Sequence, residues 1–173
     1  MQEKAARSRL LGWIRLLRLL VWIGIALLLL TPAATWLGGF SYAGEVAKGL
    51  SLGGRFLAYA YAAPPFLFVA AGLAQLLVFC REAKDARVFA EPATRAIRRL
   101  GYALLAASAA MPLARLLLWT LIVQPPEAPQ FKVITFSIVL AIAVSATFGL
   151  VCIVFAAILK EASALAEENA SFL

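Results

Sequence analysis

The chain has no histidine among its 173 residues. That absence removes the usual axial ligand of helix-bound haem, the imidazole ligands of zinc and iron sites, and the commonest general base. Cysteine is nearly missing too: Cys80 and Cys152 stand far apart, with no C-x-x-C pair to suggest a dithiol redox centre. Neither is placed where an oxidising compartment reaches it, so no structural disulfide is expected. Charge is scarce, at 14% of residues, where soluble domains carry about 25%. All nine acids, Glu3, Glu45, Glu82, Asp85, Glu91, Glu127, Glu161, Glu167 and Glu168, fall outside the long apolar runs. Proton relays and cation paths through a bilayer normally place an acid within a span. The glycine-rich stretch "GGFSYAGEVAKGLSLGGR" lacks the G-x-x-x-x-G-K-[ST] spacing of a phosphate cradle and reads as flexible connection. No metal, no cofactor and no enzymatic activity are expected.

What the chain has in quantity is apolar surface. Hydrophobic residues make up 64% of it and the mean hydropathy is +0.91, so an integral membrane protein is indicated. Four runs are long enough to cross a hydrocarbon core, which takes about 20 residues at 1.5 Å rise. They cover about 17–37, 56–79, 100–123 and 133–159. Lipid offers backbone groups no hydrogen-bond partners, and unbroken rather than alternating apolar runs select helices over a barrel. The expectation is an all-α, polytopic membrane protein: one domain, four transmembrane helices in an antiparallel bundle. The first run is expected to stay uncleaved, because apolar residues continue through Trp36 and Leu37 and Pro32 interrupts the pattern of a signal-peptidase site.

Lys and Arg set the orientation, since they are retained on the cytoplasmic side. Lys4, Arg7, Arg9, Arg15 and Arg18 precede or enter the first span. Arg81, Lys84, Arg87, Arg95, Arg98 and Arg99 lie around the loop 80–99, and Lys160 opens the tail 160–173. The other side has only Lys48, Arg55 and Lys132. Both termini and the loop 80–99 are therefore expected in the cytoplasm. The net charge of +7 follows from this asymmetry and does not indicate direct nucleic-acid binding. The segment Arg7 to Arg18, interleaved with Leu10, Leu11, Trp13 and Ile14, reads as an interfacial anchor on anionic lipid.

Arg115 stands inside the third run. Counted from Val123 it lies about 12 Å deep, where an arginine costs about 2.5 to 3.5 kcal/mol on insertion scales. It needs acceptors, and no carboxylate shares the membrane with it. Pro64 and Pro65 supply a different source at the same expected depth, about 12 Å counted from Phe56, because two prolines free the carbonyls of Ala60 and Tyr61 in the second helix. Pro112 frees the carbonyl of Ser108 in the third. Arg115, Tyr61, Pro64, Pro65 and Pro112 therefore form a candidate intramembrane polar site, with Thr31 and Ser137 as further hydroxyls. The simplest alternative is an arginine that snorkels to the outer interface.

On the fourth run Ala141, Ser145 and Gly149 recur every four residues, a small-residue face that lets backbones approach closely. The same face serves packing within the chain or between copies, so a homo-oligomer remains an open reading. At the cytoplasmic side, Glu91-Pro92 starts a helix with proline suited to its first turn, and Arg95, Arg98 and Arg99 follow. Glu167 and Glu168 in the tail are placed to meet this basic loop.

The stretch from Phe89 through "RAIRRLGYALL", together with the ending "LKEASALAEENASFL" and the four-span layout, resembles a bacterial membrane-protein family catalogued as a domain of unknown function (DUF2975). The resemblance runs from about Leu17. Ala90-Glu91 departs from it, since a Ser or Thr helix cap is usual there. It implies four spans, no enzymatic activity, and proteins that are often neighbours of small helix-turn-helix regulators.

Two functional readings follow. The first is a non-enzymatic interaction or regulatory subunit that docks a protein partner, such as a helix-turn-helix regulator or a membrane subunit, through Arg95, Arg98, Arg99, Glu167 and Glu168. The second is a small transport or ligand-binding protein with an outer-half polar cavity around Arg115 for an anion or lipid headgroup.

Overall fold

The computed structural model describes residues 2–38, 49–84, 91–121 and 130–171. They form four helices: α1 (Gln2–Trp36), α2 (Leu52–Lys84), α3 (Glu91–Leu121) and α4 (Gln130–Ser171). All four are long and apolar enough to cross a membrane. At 35 and 42 residues, α1 and α4 measure about 52 and 63 Å, well beyond a hydrocarbon core of about 30 Å.

The extra length lies where apolarity stops but helix propensity does not. Past Leu159 the sequence "KEASALAEENAS" is rich in Ala, Glu, Lys and Leu, which favour helix with or without burial, and α4 continues to Ser171. At the other terminus α1 starts at Gln2 and runs through the basic segment into the first span. The interfacial anchor expected over Arg7 to Arg18 is thus the first part of one continuous transmembrane helix. Proline breaks none of the spans: Pro32, Pro64, Pro65 and Pro112 all lie inside helices. Neighbouring helices and hydroxyls absorb the freed backbone groups in a membrane; the Thr31 hydroxyl, next to Pro32, donates within its own helix to the Leu27 carbonyl at 2.6 Å.

Packing follows chain order. α2 rests on α1, α3 on α2, and α4 on α3, and no other pair of helices has comparable contact among the described residues. The arrangement is antiparallel throughout, as the sequence indicated, with α1 and α4 at its two edges. Burial agrees: 28% of the span is buried in each of α2 and α3, against 11% in α1 and 6% in α4.

Glycines fix the height of each helix against the next. Gly24 of α1 faces Leu73 of α2, where an added Cβ would sit 3.4 Å from Cδ1. Gly72, beside Leu73, meets α3: a Cβ there would lie 2.9 Å from Ala103 Cβ and 3.1 Å from Leu100 Cδ1. On the opposite face of α3, a Cβ at Gly101 would lie 2.7 Å from the Gly149 carbonyl oxygen, and one at Gly149 would lie 2.9 Å from the Gly101 carbonyl oxygen. One glycine from every helix therefore marks a common level, and heights along each helix can be counted from it at about 1.5 Å per residue.

Two clusters flank that level. Trp36, Ala58 and Ala62 are buried together on the loop-39–48 side, with Leu50, Tyr59 and Leu118 packed around them. Ile97, Ala156 and Leu159 are buried on the tail side, with Phe79 and Cys152. Each cluster seats larger side chains against alanine, Ala58 and Ala62 in the first and Ala156 in the second, which lets the helices approach closely.

Candidate functional site

The charged end of the molecule is built from three helices. Arg95, Arg98 and Arg99 sit in the first turns of α3, all exposed, while Ala93, Thr94, Ala96 and Ile97 between them are buried. This alternation is what a helix with one face packed and one face charged produces. Arg95 donates to Glu91 one turn earlier, an exposed i,i+4 ion pair. The charge presented outward by this surface is therefore carried chiefly by Arg98 and Arg99, joined by exposed Arg81 and Lys84 at the end of α2 and exposed Lys160 on α4.

Height separates the arginines from the acidic tail. Arg98 and Arg99 lie within three residues of Gly101, about 3 to 5 Å from the glycine level. Glu167 and Glu168 lie 18 and 19 residues from Gly149 on α4, about 27 to 28 Å from the same level. Helix α3 ends at Glu91, about 15 Å from it. The tail thus stands beyond α3, roughly 23 Å further along the bundle axis than Arg98 and Arg99. The structure does not bring the two halves of the expected docking set side by side. It places both at the same end, one as a platform and the other as a projecting helix. Residues 85–90 of the connecting loop lie outside the described residues.

The candidate polar site lies toward the opposite end. Arg115 is half-buried and takes part in an interaction within the fold. It is 14 residues from Gly101, level with Ala58 and not with Pro64, which is eight residues from Gly72. The difference is about 9 Å. The freed carbonyls of Ala60 and Tyr61 are closer, about 3 to 5 Å deeper than Arg115. Tyr61 is half-buried and Pro65 buried, but Pro64 and Pro112 are exposed on the helix surfaces. Six residues, about 9 Å, separate Arg115 from the helix end at Leu121. Thr31 spends its hydroxyl on its own helix, and Ser137 lies among side chains outside the described set.

Sequence reasoning overlooked a polar contact deeper in α3. The Leu104 carbonyl accepts from Ser108 Oγ at 2.8 Å within α3 and from Ser145 Oγ at 3.2 Å across the α3–α4 seam. Ser108 is buried and precedes Pro112 by one turn. Ser145 and Gly149 thus both face α3, while Ala141 is exposed. The small-residue face is used inside the chain, and its course bends from the four-residue repeat to Cys152, Ala156 and Leu159. A Gly at the end of "RAIRRLG" was the available signal for the partner surface on α3, since a close helix approach needs a small residue on both sides.

Among the described residues no three His, Cys, Asp or Glu side chains gather in a way that would hold a metal ion. Thr94 Oγ1, buried in the first turns of α3, has no hydrogen-bond partner.

Comparison with known proteins adds one match. The model of the family described as "Protein of unknown function (DUF2975)" matches residues 36–171. No curated protein and no solved structure matches the chain.

Proposed function

The chain belongs to the DUF2975 family of proteins of unknown function, and from that premise we propose that it is a non-enzymatic membrane interaction protein. Its charged end docks a protein partner, cytoplasmic or membrane-bound. The observation that supports this reading best is the unbroken passage of α4 from the apolar span to Ser171, which projects a helix beyond the α3 terminus on which Lys160, Glu161, Ala162, Ala164, Leu165 and Glu168 are exposed. Leu165 on that projection is 57% exposed, an apolar side chain at the end of the fourth candidate span, Ile138–Leu165. Nearer the glycine level at the same end, Arg98 and Arg99 form a platform whose charge is suited to steering and orienting an acidic partner surface. By the positive-inside bias this end faces the bacterial cytoplasm.

Photo-crosslinking from single positions tests the reading. An unnatural photoreactive residue at Arg98 or Leu165 should trap a discrete protein species in native membranes. The same residue at Phe148, exposed on the apolar flank of α4, should trap lipid or other copies only. Lipid-only adducts at all three positions would remove the docking reading.

The ligand-binding reading has less support. Arg115 is half-buried near carbonyls released by Pro64 and Pro65, an arrangement that serves α2–α3 packing as readily as it serves a bound anion.

A further inference from the structure

α1 and α4 share three properties that neither inner helix has. Each is an edge of the packing order, each has less of its span buried (11% and 6%, against 28% in either inner helix), and each projects past the ends of α2 and α3 at the same end of the molecule. Counted from the glycine level, Gln2 and Ser171 are each 22 residues away, about 33 Å, while Lys84 and Glu91 end their helices at about 18 and 15 Å. The result is two helical arms of equal reach, one at each edge.

Their charges are opposite. The α1 arm carries Lys4, Arg7 and Arg9 against one acid, Glu3, and the α4 arm carries Glu161, Glu167 and Glu168 beyond Lys160. The heights also match. Lys4 and Arg7 lie 20 and 17 residues from Gly24, and Glu167 and Glu168 lie 18 and 19 residues from Gly149, so both sets fall about 26 to 30 Å from the common level. Within one chain the arms belong to opposite edges, with α2 and α3 between them, and α1 and α4 share no extensive contact among the described residues.

We propose that the basic α1 arm of one copy pairs with the acidic α4 arm of a second copy of this chain, edge to edge. The contact is heterologous: each copy offers one edge of each kind, so the assembly closes into a ring or extends as a row. Below the arms, the same approach covers the bare apolar flank of α4, including Val144, Phe148, Val151 and Phe155, with that of α1, including Leu20, Ile23, Leu27 and Leu30. Charge sets which edge meets which and at what height, a role electrostatic complementarity fills better than it supplies affinity. The inference uses the same α4 projection as the docking reading but not Arg98 and Arg99, which lie on α3, so crosslinking between the arms and capture of a foreign protein at Arg98 separate the two.

Crosslinking between two differently tagged full-length copies tests it. With Cys80→Ala and Cys152→Ala in both, one copy carries Ser8→Cys and the other Ala164→Cys, which lie 16 and 15 residues from the glycine level. In native membranes a bismaleimide should join the two tags covalently, and neither variant expressed alone should give a dimer. Arg7→Glu with Arg9→Glu should abolish the mixed product, and Glu167→Lys with Glu168→Lys in the other copy should restore it. A mixed product missing before any charge reversal, dimers of either variant with itself, or both cysteines in one chain joining only within that chain would each overturn the proposal. Native mass spectrometry of the unaltered protein gives an independent reading: a multimer of whole chains supports it, and a monomer at every concentration sinks it.

Discussion

Gly101 and Gly149 touch backbone to backbone: a Cβ on either would intrude to within 3 Å of the other's carbonyl oxygen. The seam between α3 and α4 is therefore closed by the absence of side chains. Gly101→Ala or Gly149→Ala should force the helices apart and cost about 1 to 3 kcal/mol, the usual scale of overpacking. Gly12→Ala makes the control, since nothing lies within 4 Å of its added Cβ, and it should be neutral or stabilising by about 0.5 to 1 kcal/mol through helix propensity. Thermal unfolding in detergent or a steric-trapping measurement in lipid separates the two classes.

Ser145 adds the polar half of the same seam. Ser145→Ala removes the bond to the Leu104 carbonyl but leaves that oxygen a second donor in Ser108. The expected loss is therefore modest, about 0.6 kcal/mol, typical of interhelical hydrogen bonds in lipid. Ser108→Ala combined with Ser145→Ala should cost more than the sum of the two, because the carbonyl then loses both hydroxyls. A double-mutant cycle on the unfolding midpoint reads this out, and strict additivity would contradict it.

Arg115→Leu should weaken the α2–α3 packing by about 1 kcal/mol while leaving membrane insertion and partner capture intact. Arg115→Lys should recover only part of the loss, since an ammonium lacks the planar fork that engages several carbonyls at once. If Arg115→Leu instead leaves stability unchanged but strips a bound anion or lipid from the purified protein, the ligand-binding reading takes over.

Topology has its own check. Single cysteines at Ser8 and Ala164 should be shielded from a membrane-impermeant thiol reagent in intact cells and labelled only after lysis. One at Gly49, between α1 and α2, should be labelled from outside. Labelling of Ser8→Cys or Ala164→Cys in intact cells would reverse the orientation drawn from Lys and Arg.

The four spans were legible in the sequence because a bilayer demands long apolar runs, and prolines inside them misled nothing. So was the start of α3 at Glu91-Pro92, but the full reach of α1 was not. Apolarity fades at Leu17 and Leu159, but α1 and α4 run on through residues chosen for helix propensity and charge. Small residues on α4 were legible as a packing face, and Ser145 and Gly149 do face α3. Ala141 departs from that face because a helix packed on its neighbour drifts off a strict four-residue repeat. Gly101 went unread as a packing residue: it stands at the start of the third run beside Arg98 and Arg99, and its partner Gly149 lies on another helix. The depth of Arg115 was overestimated relative to α2 because height was counted from span ends, which sequence places least well. The glycine level supplies a better origin, and it takes the packed helices to find it.

The most direct test of the docking account is native mass spectrometry of the protein extracted gently from its own membranes, with and without Arg95→Ala, Arg98→Ala and Arg99→Ala together. The account predicts a stoichiometric protein partner of a different mass in the unaltered sample and its loss in the triple variant, with the chain still folded. An unaltered sample that carries no foreign protein, or a partner that survives the triple variant undiminished, would contradict it.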